Sequence, residues 1–290
     1  MINQDVSSQD WSDKIGSTLI GDASKYIIVP SSLIKDIGLT DKRLSVFSFF
    51  MIKKGMDDSV GFSIEQIIKW CGLKPNNHKG RTNDIFSDII DCFNKSNYLQ
   101  LTTKPSKSSN FAEAHLNMDY ISNSSNTFSI LYLDEIMKIL NYHNAKSRDT
   151  TLNTSIILLV FAYLRWRITR REHRPSSNVI GKNYDLNYPD AYDCYFIDIE
   201  KDIGIKARTI SKAVSALIEL KLIYIDKLNK THIDDKWYTE HTIFVNMYKR
   251  EKNRKTGEIE LVAAGSNYYL KEIYNKRKKM GLIDTTKGGK

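Results

Sequence analysis

Long apolar runs are missing from this chain. In 290 residues the longest is the nine-residue stretch from Ile156 to Leu164, whereas a helix that spans a bilayer needs about 20; no membrane segment is expected. The opening MINQDVSSQD is polar and acidic, without the basic start or apolar run of a secretory signal, so a cytoplasmic location is the expectation. Cysteine is scarce. Cys71, Cys92 and Cys194 are widely spaced, form no C-x-x-C pair and have apolar neighbours, which fits small core residues in a reducing compartment. The six histidines, His78, His115, His143, His173, His232 and His241, show neither H-x-H nor H-E-x-x-H spacing, which argues against a zinc site and against metal-dependent phosphodiester chemistry. No G-x-x-x-x-G-K-[ST] loop occurs, since Gly181-Lys182 lacks the upstream glycine. The carboxylate pairs Asp57-Asp58 and Asp234-Asp235 fall in turn-like segments, and none of the sixteen tyrosines comes with an Arg/His constellation. No catalytic residue, metal or cofactor is assigned, and an enzyme is the least favoured class.

What is present is positive charge, unevenly placed. The formal net charge is +9. Residues 1 to 145 hold 15 Lys+Arg against 16 Asp+Glu, and residues 146 to 290 hold 28 against 18, so the excess lies wholly in the second half. Such a half points to a polyanionic partner, nucleic acid before a membrane surface. The length exceeds that of one ordinary domain and predicts two compact units with separate cores.

The pattern along the chain predicts which units these are. Residues 1 to 23 read as a loose arm with a short amphipathic piece from Trp11 to Leu19. "KYIIVP" predicts a strand, Leu33 to Ile37 a brief helix, and Thr40-Asp41 the cap of a longer helix with Leu44, Phe47, Phe50 and Met51 on one face. "GFSIEQIIKWCGL" predicts a second helix capped by Ser63 and stopped by Gly72, and Thr82 to Phe93 a third with Ile85, Phe86, Ile89 and Ile90 apolar. "YLQLTT" and "EAHLNMDYI" read as paired strands. The order then recurs: "TFSILYL" as a strand, Asp134 to Leu140 as a short helix, and a helix opened by Asn153 or Thr154. "CYFIDIEKDIGI" matches "VGFSIEQIIKWCGL", and "RTISKAVSALIELKLIYI" matches "RTNDIFSDIIDCFNKSNYLQL". A period of roughly 100 to 125 residues is too long for a solenoid and predicts two copies of one domain type. "TIFVNMYK" and "IELVA" read as partner strands, and Ser266 as the cap of a last helix, "NYYLKEIYNKRKKM".

Residues 202 to 225, "DIGIKARTISKAVSALIELKLIYI", carry the functional signal. Asp198 is read as the cap of a short helix that Gly204 ends in a positive-φ turn, with Ile205 plugging the turn into the core. A second helix from Ala207 places Ile210, Ala213, Val214, Leu217 and Leu220 on one stripe. Arg208, Lys212, Ser215 and Glu219 lie opposite, with Lys206, Thr209 and Ser211 near the start. Short polar side chains permit close approach to a groove, the helix start favours a phosphate, and Arg or Lys reaches guanine N7 and O6. An ordinary helix pair with a solvated face is the plain alternative. The run "LKLIYI", the strand "TIFVNMY" that can pair with it across the lysine-bearing stretch 226 to 241, and the basic half around them favour DNA.

"IEKDIGIKARTISKAVSALIELKLI" resembles the winged helix-turn-helix of bacterial DNA-binding proteins, and the tandem over about residues 25 to 250 resembles the two-winged-helix initiators (Rep proteins) of plasmid and phage replication. The expected fold is therefore mainly α with small β-hairpins (α+β), as two tandem winged helix-turn-helix domains, 24–125 and 126–250, preceded by the arm 1–23 and followed by a C-terminal hairpin, basic helix and tail, 251–290. The resemblance implies sequence-specific binding of double-stranded DNA at origin repeats, host replication proteins as partners, and a nucleoid- or plasmid-associated bacterial protein that forms homo-oligomers. Arg208, Thr209, Lys212 and Ser215 are expected to read bases. Lys206, Ser211 and the lysines Lys227, Lys230 and Lys236 are expected to hold phosphates. A transcriptional regulator using the same surface and a protein-binding adaptor remain as alternatives. The first copy departs from the pattern: its third helix is read as exposing Asp84, Asp88 and Asp91 with Asn83 and Ser87 between them, a poor face for a groove, while Lys74, His78, Lys79 and Arg81 gather in the loop before it. That unit is expected either to touch DNA through this loop, Lys79 and Arg81 above all, or to contact protein, including another copy of itself. Three more basic clusters, "RWRITRREHR", "KREKNRK" and "NKRKK", are read either as phosphate contacts or as solvated or helix-end cations.

Overall fold

Two strands a hundred residues apart open the two halves of the molecule and pair with each other. The computed structural model describes residues 25–105, 108–142, 153–168, 191–228, 231–233, 236–238, 241–246, 248–252 and 259–263. The first series of elements is β1 (Tyr26–Pro30), α1 (Ser31–Lys35), α2 (Arg43–Lys53), β2 (Ser59–Phe62), α3 (Ile64–Trp70), α4 (Thr82–Lys95), β3 (Leu99–Thr103), β4 (Ala112–Leu116) and α5 (Met118–Asn123). The second is β5 (Phe128–Tyr132), α6 (Leu133–Leu140), α7 (Thr154–Arg167), β6 (Ala191–Cys194), α8 (Phe196–Ile203), α9 (Ala207–Glu219), β7 (Ile223–Leu228), β8 (Thr231–Ile233), β9 (Lys236–Tyr238) and β10 (His241–Asn246), followed by β11 (Tyr248–Lys252) and β12 (Ile259–Ala263). The fold is α+β.

The second series repeats the first, and so does its sheet. Strands β2, β4 and β3 form one antiparallel sheet in the order β2-β4-β3, and β6, β10 and β7 form another in the order β6-β10-β7. In both, the last strand returns to the middle. The second series adds the hairpin β8–β9 between its outer and middle strands, and β11 pairs with β12. Strand β1 runs antiparallel to β5, with Ile28 opposite Ile130, so one ribbon carries the first strand of each series.

Local chemistry accounts for the element boundaries. Ser63 Oγ accepts the Gln66 amide at 3.3 Å and the Gln66 side chain accepts the Ser63 amide at 3.1 Å, a capping box that starts α3. Gly72 follows α3 at φ 72°, a conformation that costs glycine nothing. Ala112, Ala114 and Leu116 turn inward from β4 while Glu113 and His115 turn out, the period-two alternation of a half-buried strand. Asn153 caps α7, its Oδ1 accepting the Ile156 amide at 2.9 Å.

Helix α7 changes the expected organisation. Ten consecutive residues, Ser155 to Leu164, are buried. A helix apolar on every side needs partners on every side, and α7 packs against α1, α2, β5, α6 and α9. The buried residues of both series consequently form one continuous cluster, from Ile27 to Phe244, where two separate cores were expected. At the end of α7, Arg165 pairs with Glu135 at 2.6 Å, and the other Glu135 oxygen accepts the Tyr132 amide at 3.2 Å.

Other expectations need correction. Helix α2 is capped by Lys42 without a side-chain bond, Thr40 Oγ1 accepting the Lys42 amide instead. The residues before α3 and α8 form the four-residue strands β2 and β6, which sheet pairing creates and local periodicity hides. "EAHLNMDYI" is a strand only to Leu116, because Asn117 accepts the Tyr120 amide and starts α5. "TIFVNMYK" supplies β10, which pairs with β6 and β7; "IELVA" pairs with β11. Ile85 is 42% exposed, and Cys92 is exposed while Cys71 and Cys194 are buried. The arm 1–23, residues 169–174, Lys230, the Asp234-Asp235 pair and the last helix with "NKRKK" lie outside the described residues. Among the described residues no helix is long and apolar enough to cross a membrane.

Candidate nucleic-acid interface

Helices α8 and α9 and the turn between them assemble the residues singled out in residues 202 to 225. Helix α8 starts earlier than expected, at Phe196 after Tyr195, and Asp198 serves inside its first turn, where its carboxylate accepts the Tyr195 amide at 3.2 Å. Gly204 ends α8 at φ 75° and donates its amide to Glu200 O at 2.9 Å. Ile205, half-buried, packs against the core as expected. Helix α9 then begins at Ala207.

The stripe of α9 is sorted by burial. Ile210, Ala213, Val214, Ala216 and Leu217 are buried, and Leu220 packs at their edge. Arg208 and Ser215 are exposed and Thr209, Ser211 and Lys212 half-buried. Positions 208, 211, 212 and 215 recur at the three- and four-residue spacing of one helix face, so the basic and hydroxyl side chains share a surface opposite the core. The Ser215 hydroxyl donates to Ser211 O at 3.0 Å. At the far end of α9 the Glu219 carboxylate accepts the Tyr142 hydroxyl at 2.8 Å and ties the helix to the residues following α6. Burial, together with this carboxylate, pushes the Tyr142 phenol up to about 12.

The start of α9 differs from an open anion site. Glu200, on α8, accepts the Ala207 amide at 2.8 Å through one oxygen and the Lys206 ammonium at 3.0 Å through the other. The amide bond, then the Lys206 contacts, hold this carboxylate below the ordinary range. A carboxylate thus occupies a backbone donor expected to meet a phosphate. Lys206 itself is 83% exposed, and a solvent-screened surface pair holds its partner weakly, so its ammonium remains available to a stronger anion.

The matching helix of the first series has another character. Arg81 precedes α4 as its cap residue, whereas Arg208 lies in the second helical position of α9, so the shared Arg-Thr dipeptides stand two residues out of step. Lys74, His78, Lys79 and Arg81 are all exposed. Gly80, at φ 72°, donates its amide to Asp84 Oδ2 at 2.7 Å. Asn83, expected on the outer face, is buried: its Oδ1 accepts the Asn76 amide at 2.8 Å, and its Nδ2 donates to Asn77 Oδ1 and, at 2.7 Å, to Ser108 Oγ. This network fixes the basic loop and borders a cleft of about 380 Å³ lined by Glu65, Asn77, Asp84, Ser87 and Ser109. Asp84 and Asp88 are exposed, and Asp91 pairs with Lys104 at 3.7 Å.

No protein-family model matches the chain, and no curated protein is similar to it. The residues alone therefore carry the functional reading.

Of the remaining expected contacts, Lys227 lies on β7 opposite Thr242, and Lys236 on β9 opposite Ile233. Lys249, Arg250 and Lys252 of "KREKNRK" fall on β11. In "RWRITRREHR", Arg165 is taken by Glu135 and stacks over Phe161 at 4.9 Å, and Arg167 lies over Tyr192 at 4.8 Å and Trp166 at 5.3 Å. Those two arginines join elements of the fold. Residues missed by sequence reasoning are Glu200 and Arg43; the i, i+7 offset of Glu200 from Ala207 across a glycine turn is the signal that points to the former.

Proposed function

We propose that the chain is a sequence-specific double-stranded DNA-binding protein made of two winged helix-turn-helix domains, and that it initiates replication of a plasmid or phage by binding repeated sites. The observation that carries the reading is the unit β6-α8-turn-α9-β7-β10, in which a glycine turn joins two helices, the second presents Arg208, Ser211, Lys212 and Ser215 on one outward face, and the strands that follow pair across a hairpin. In a winged helix that second helix enters the major groove, and its short side chains allow Arg208 and Lys212 to reach base edges while the hairpin lies along the backbone. Lys206, Thr209 and the strand and hairpin lysines serve this contact. The first unit, with Asp84 and Asp88 exposed on its matching helix, contributes through Lys79 and Arg81 or through protein contact. No catalytic step is assigned.

The test is selection of bound duplexes from a random library, with the wild type and the Arg208→Ala/Lys212→Ala protein at one salt concentration. A motif selected by the wild type and lost in the variant supports α9 as the reader; the same motif in both, or none in either, refutes it. Initiation is tested separately from regulation. A plasmid carrying only this gene and the selected repeats replicates if the chain is an initiator, whereas a regulator alters transcription from a promoter bearing the motif and supports no replication. Failure of the wild type to retain duplex DNA at moderate salt would favour an adaptor.

A further inference from the structure

Asp202, Ile203 and Gly204 lead from α8 into α9, and the first half of the chain grips this turn. The Arg43 side chain, 1% exposed, donates from Nε to Leu33 O at 3.0 Å, from Nη1 to Thr40 O at 3.0 Å and Leu39 O at 3.4 Å, and from Nη2 to Ile34 O at 2.6 Å. Nη2 also reaches Ile203 O at 3.4 Å, the last carbonyl of α8. One guanidinium thereby serves carbonyls at the C-terminal ends of α1 and α8 together, where a cation also offsets both helix dipoles. Burial lowers the Arg43 pKa to about 10, with Asp36 and Asp41 opposing the shift, so the group stays charged at neutral pH. The Asp202 carboxylate accepts the Tyr163 hydroxyl at 2.8 Å and pairs with Lys35 at 3.7 Å. Ile37 sits against the turn itself: a Cβ placed on Gly204 would come within 2.6 Å of Ile37 Cγ2. Ile37 is nevertheless 59% exposed, an apolar side chain spent on a neighbouring turn more than on the core.

We propose that Arg43 and Ile37 are positioning residues for α9, holding the α8–α9 turn at one angle to the first half, so that two side chains absent from the outward face govern how selectively that face recognises DNA. The proposal rests on the reading of α9 as the DNA-contacting helix. Geometry sets the scale of the effect. Helix α9 has 13 residues and is roughly 20 Å long at about 1.5 Å per residue. Its far end is anchored through Glu219 to Tyr142, so a tilt of about 10° at the turn swings Arg208 by roughly 3 Å, well beyond the roughly 0.5 Å within which a recognition group must be held. Arg43→Lys keeps the charge but replaces a planar five-donor fork by a point donor that cannot span both helix ends. Ile37→Ala removes the support of the turn without opening the core.

Two readouts on the full chain test this. In a Cys92→Ser background, spin labels at Lys95→Cys on α4 and Ser215→Cys on α9 report the angle between the halves without DNA; the distance distribution is expected to be narrow in the parent and to shift or broaden by about 3 Å in Arg43→Lys and Ile37→Ala. Affinity for the selected duplex, with unlabelled protein, is expected to fall about tenfold in both variants, equivalent to about 1.4 kcal/mol, while affinity for a random duplex stays within about twofold because phosphate contacts tolerate misalignment. Ile37→Ala keeps the test decisive should Arg43→Lys fail to fold. An unchanged distance distribution in folded Ile37→Ala, or a changed one with undiminished selectivity, overturns the proposal. A wild type that prefers no duplex overturns the recognition role together with the reading of α9, and that failure is recognised by an Arg208→Ala control indistinguishable from the parent.

Discussion

Helices α4 and α9 hold the same place in the two halves, fourth helix of the series and followed by the outer strand of a three-stranded sheet, yet their outward faces carry opposite charge. On α4 the exposed positions include Asp84, Ile85 and Asp88; on α9 they include Arg208 and Ser215, with Lys212 beside them. The inward faces agree: Phe86, Ile89, Ile90 and Phe93 in one, Ile210, Ala213, Val214 and Leu217 in the other. The comparison teaches that the apolar stripe is what preserves the topology, and that the outer face can be given any charge at little cost to it. A carboxylate face opposes a polyphosphate and a guanidinium face attracts it, so one scaffold supports two different surfaces.

The largest effect is expected where the two halves stop being separable. Phe161→Ala in α7 removes a fully buried ring and should cost about 3–5 kcal/mol. Because α7 is packed by elements of both halves, calorimetry should show one shifted transition; two transitions with only one displaced would restore a picture of independent units. The next effect sharpens the contrast between the outward faces. Arg208→Ala/Lys212→Ala should weaken binding to the selected duplex by about 30-fold or more, from roughly 1–3 kcal/mol for each side chain that no longer reaches a base, whereas Lys79→Ala/Arg81→Ala should weaken it only a few-fold and reduce the salt slope by about 0.9 for each phosphate left without its cation. Equal losses measured by fluorescence anisotropy would erase the division of labour.

Smaller effects compare the helix starts. Ser63→Ala removes the capping box of α3 and should cost about 1 kcal/mol in urea denaturation. Glu200→Gln should act through pH. Since the folded state holds Glu200 below the ordinary carboxylate range, its contribution is complete above the unfolded value of about 4.3 and is lost as pH falls through the folded one. The variant should therefore be slightly less stable than the parent at pH 7 and approach it as pH falls through the lowered folded-state pKa; a difference that stays constant as the carboxylate is protonated would show that charge is not the cause. Least of all, one buried thiol in each half should resist labelling: burial pushes Cys71 and Cys194 up to about 12, so a thiol reagent at pH 8 should titrate Cys92 alone until the chain unfolds.

Legibility in the sequence followed the physics of each feature. The helices α3, α4 and α9 were readable because an apolar stripe at helical spacing has few other uses, α7 because its apolar run follows a capping residue, and Gly204 because a left-handed turn favours glycine. Strands β2 and β6 were not, since four residues are too few for alternation to show and their identity depends on the distant partners β4 and β10. The fusion of the cores was hidden because a helix apolar all round announces burial without saying by whom. On the candidate interface, Arg208, Lys212 and Ser215 came from the face opposite the stripe, while the capture of the Ala207 amide by Glu200 and the placement of Arg43 depend on how chain segments meet. An arginine in a helix reads as a surface cation; only the carbonyl ends that converge on Arg43 make it an interior one.

The ribbon of β1 and β5 and the wholly buried α7 bear on the order of events at the ribosome. Strand β1 leaves the exit tunnel early but finds its partner only after Tyr132 has emerged, and the apolar surfaces of α1 and α2 wait until Leu164 for the helix that covers them. With synthesis at about 5–20 residues per second, the nascent first half carries uncovered apolar surface for several seconds. Emergence of α7, more than the folding of a leading domain, is the step that withdraws this surface from chaperones, proteases and unfinished copies on the same polysome.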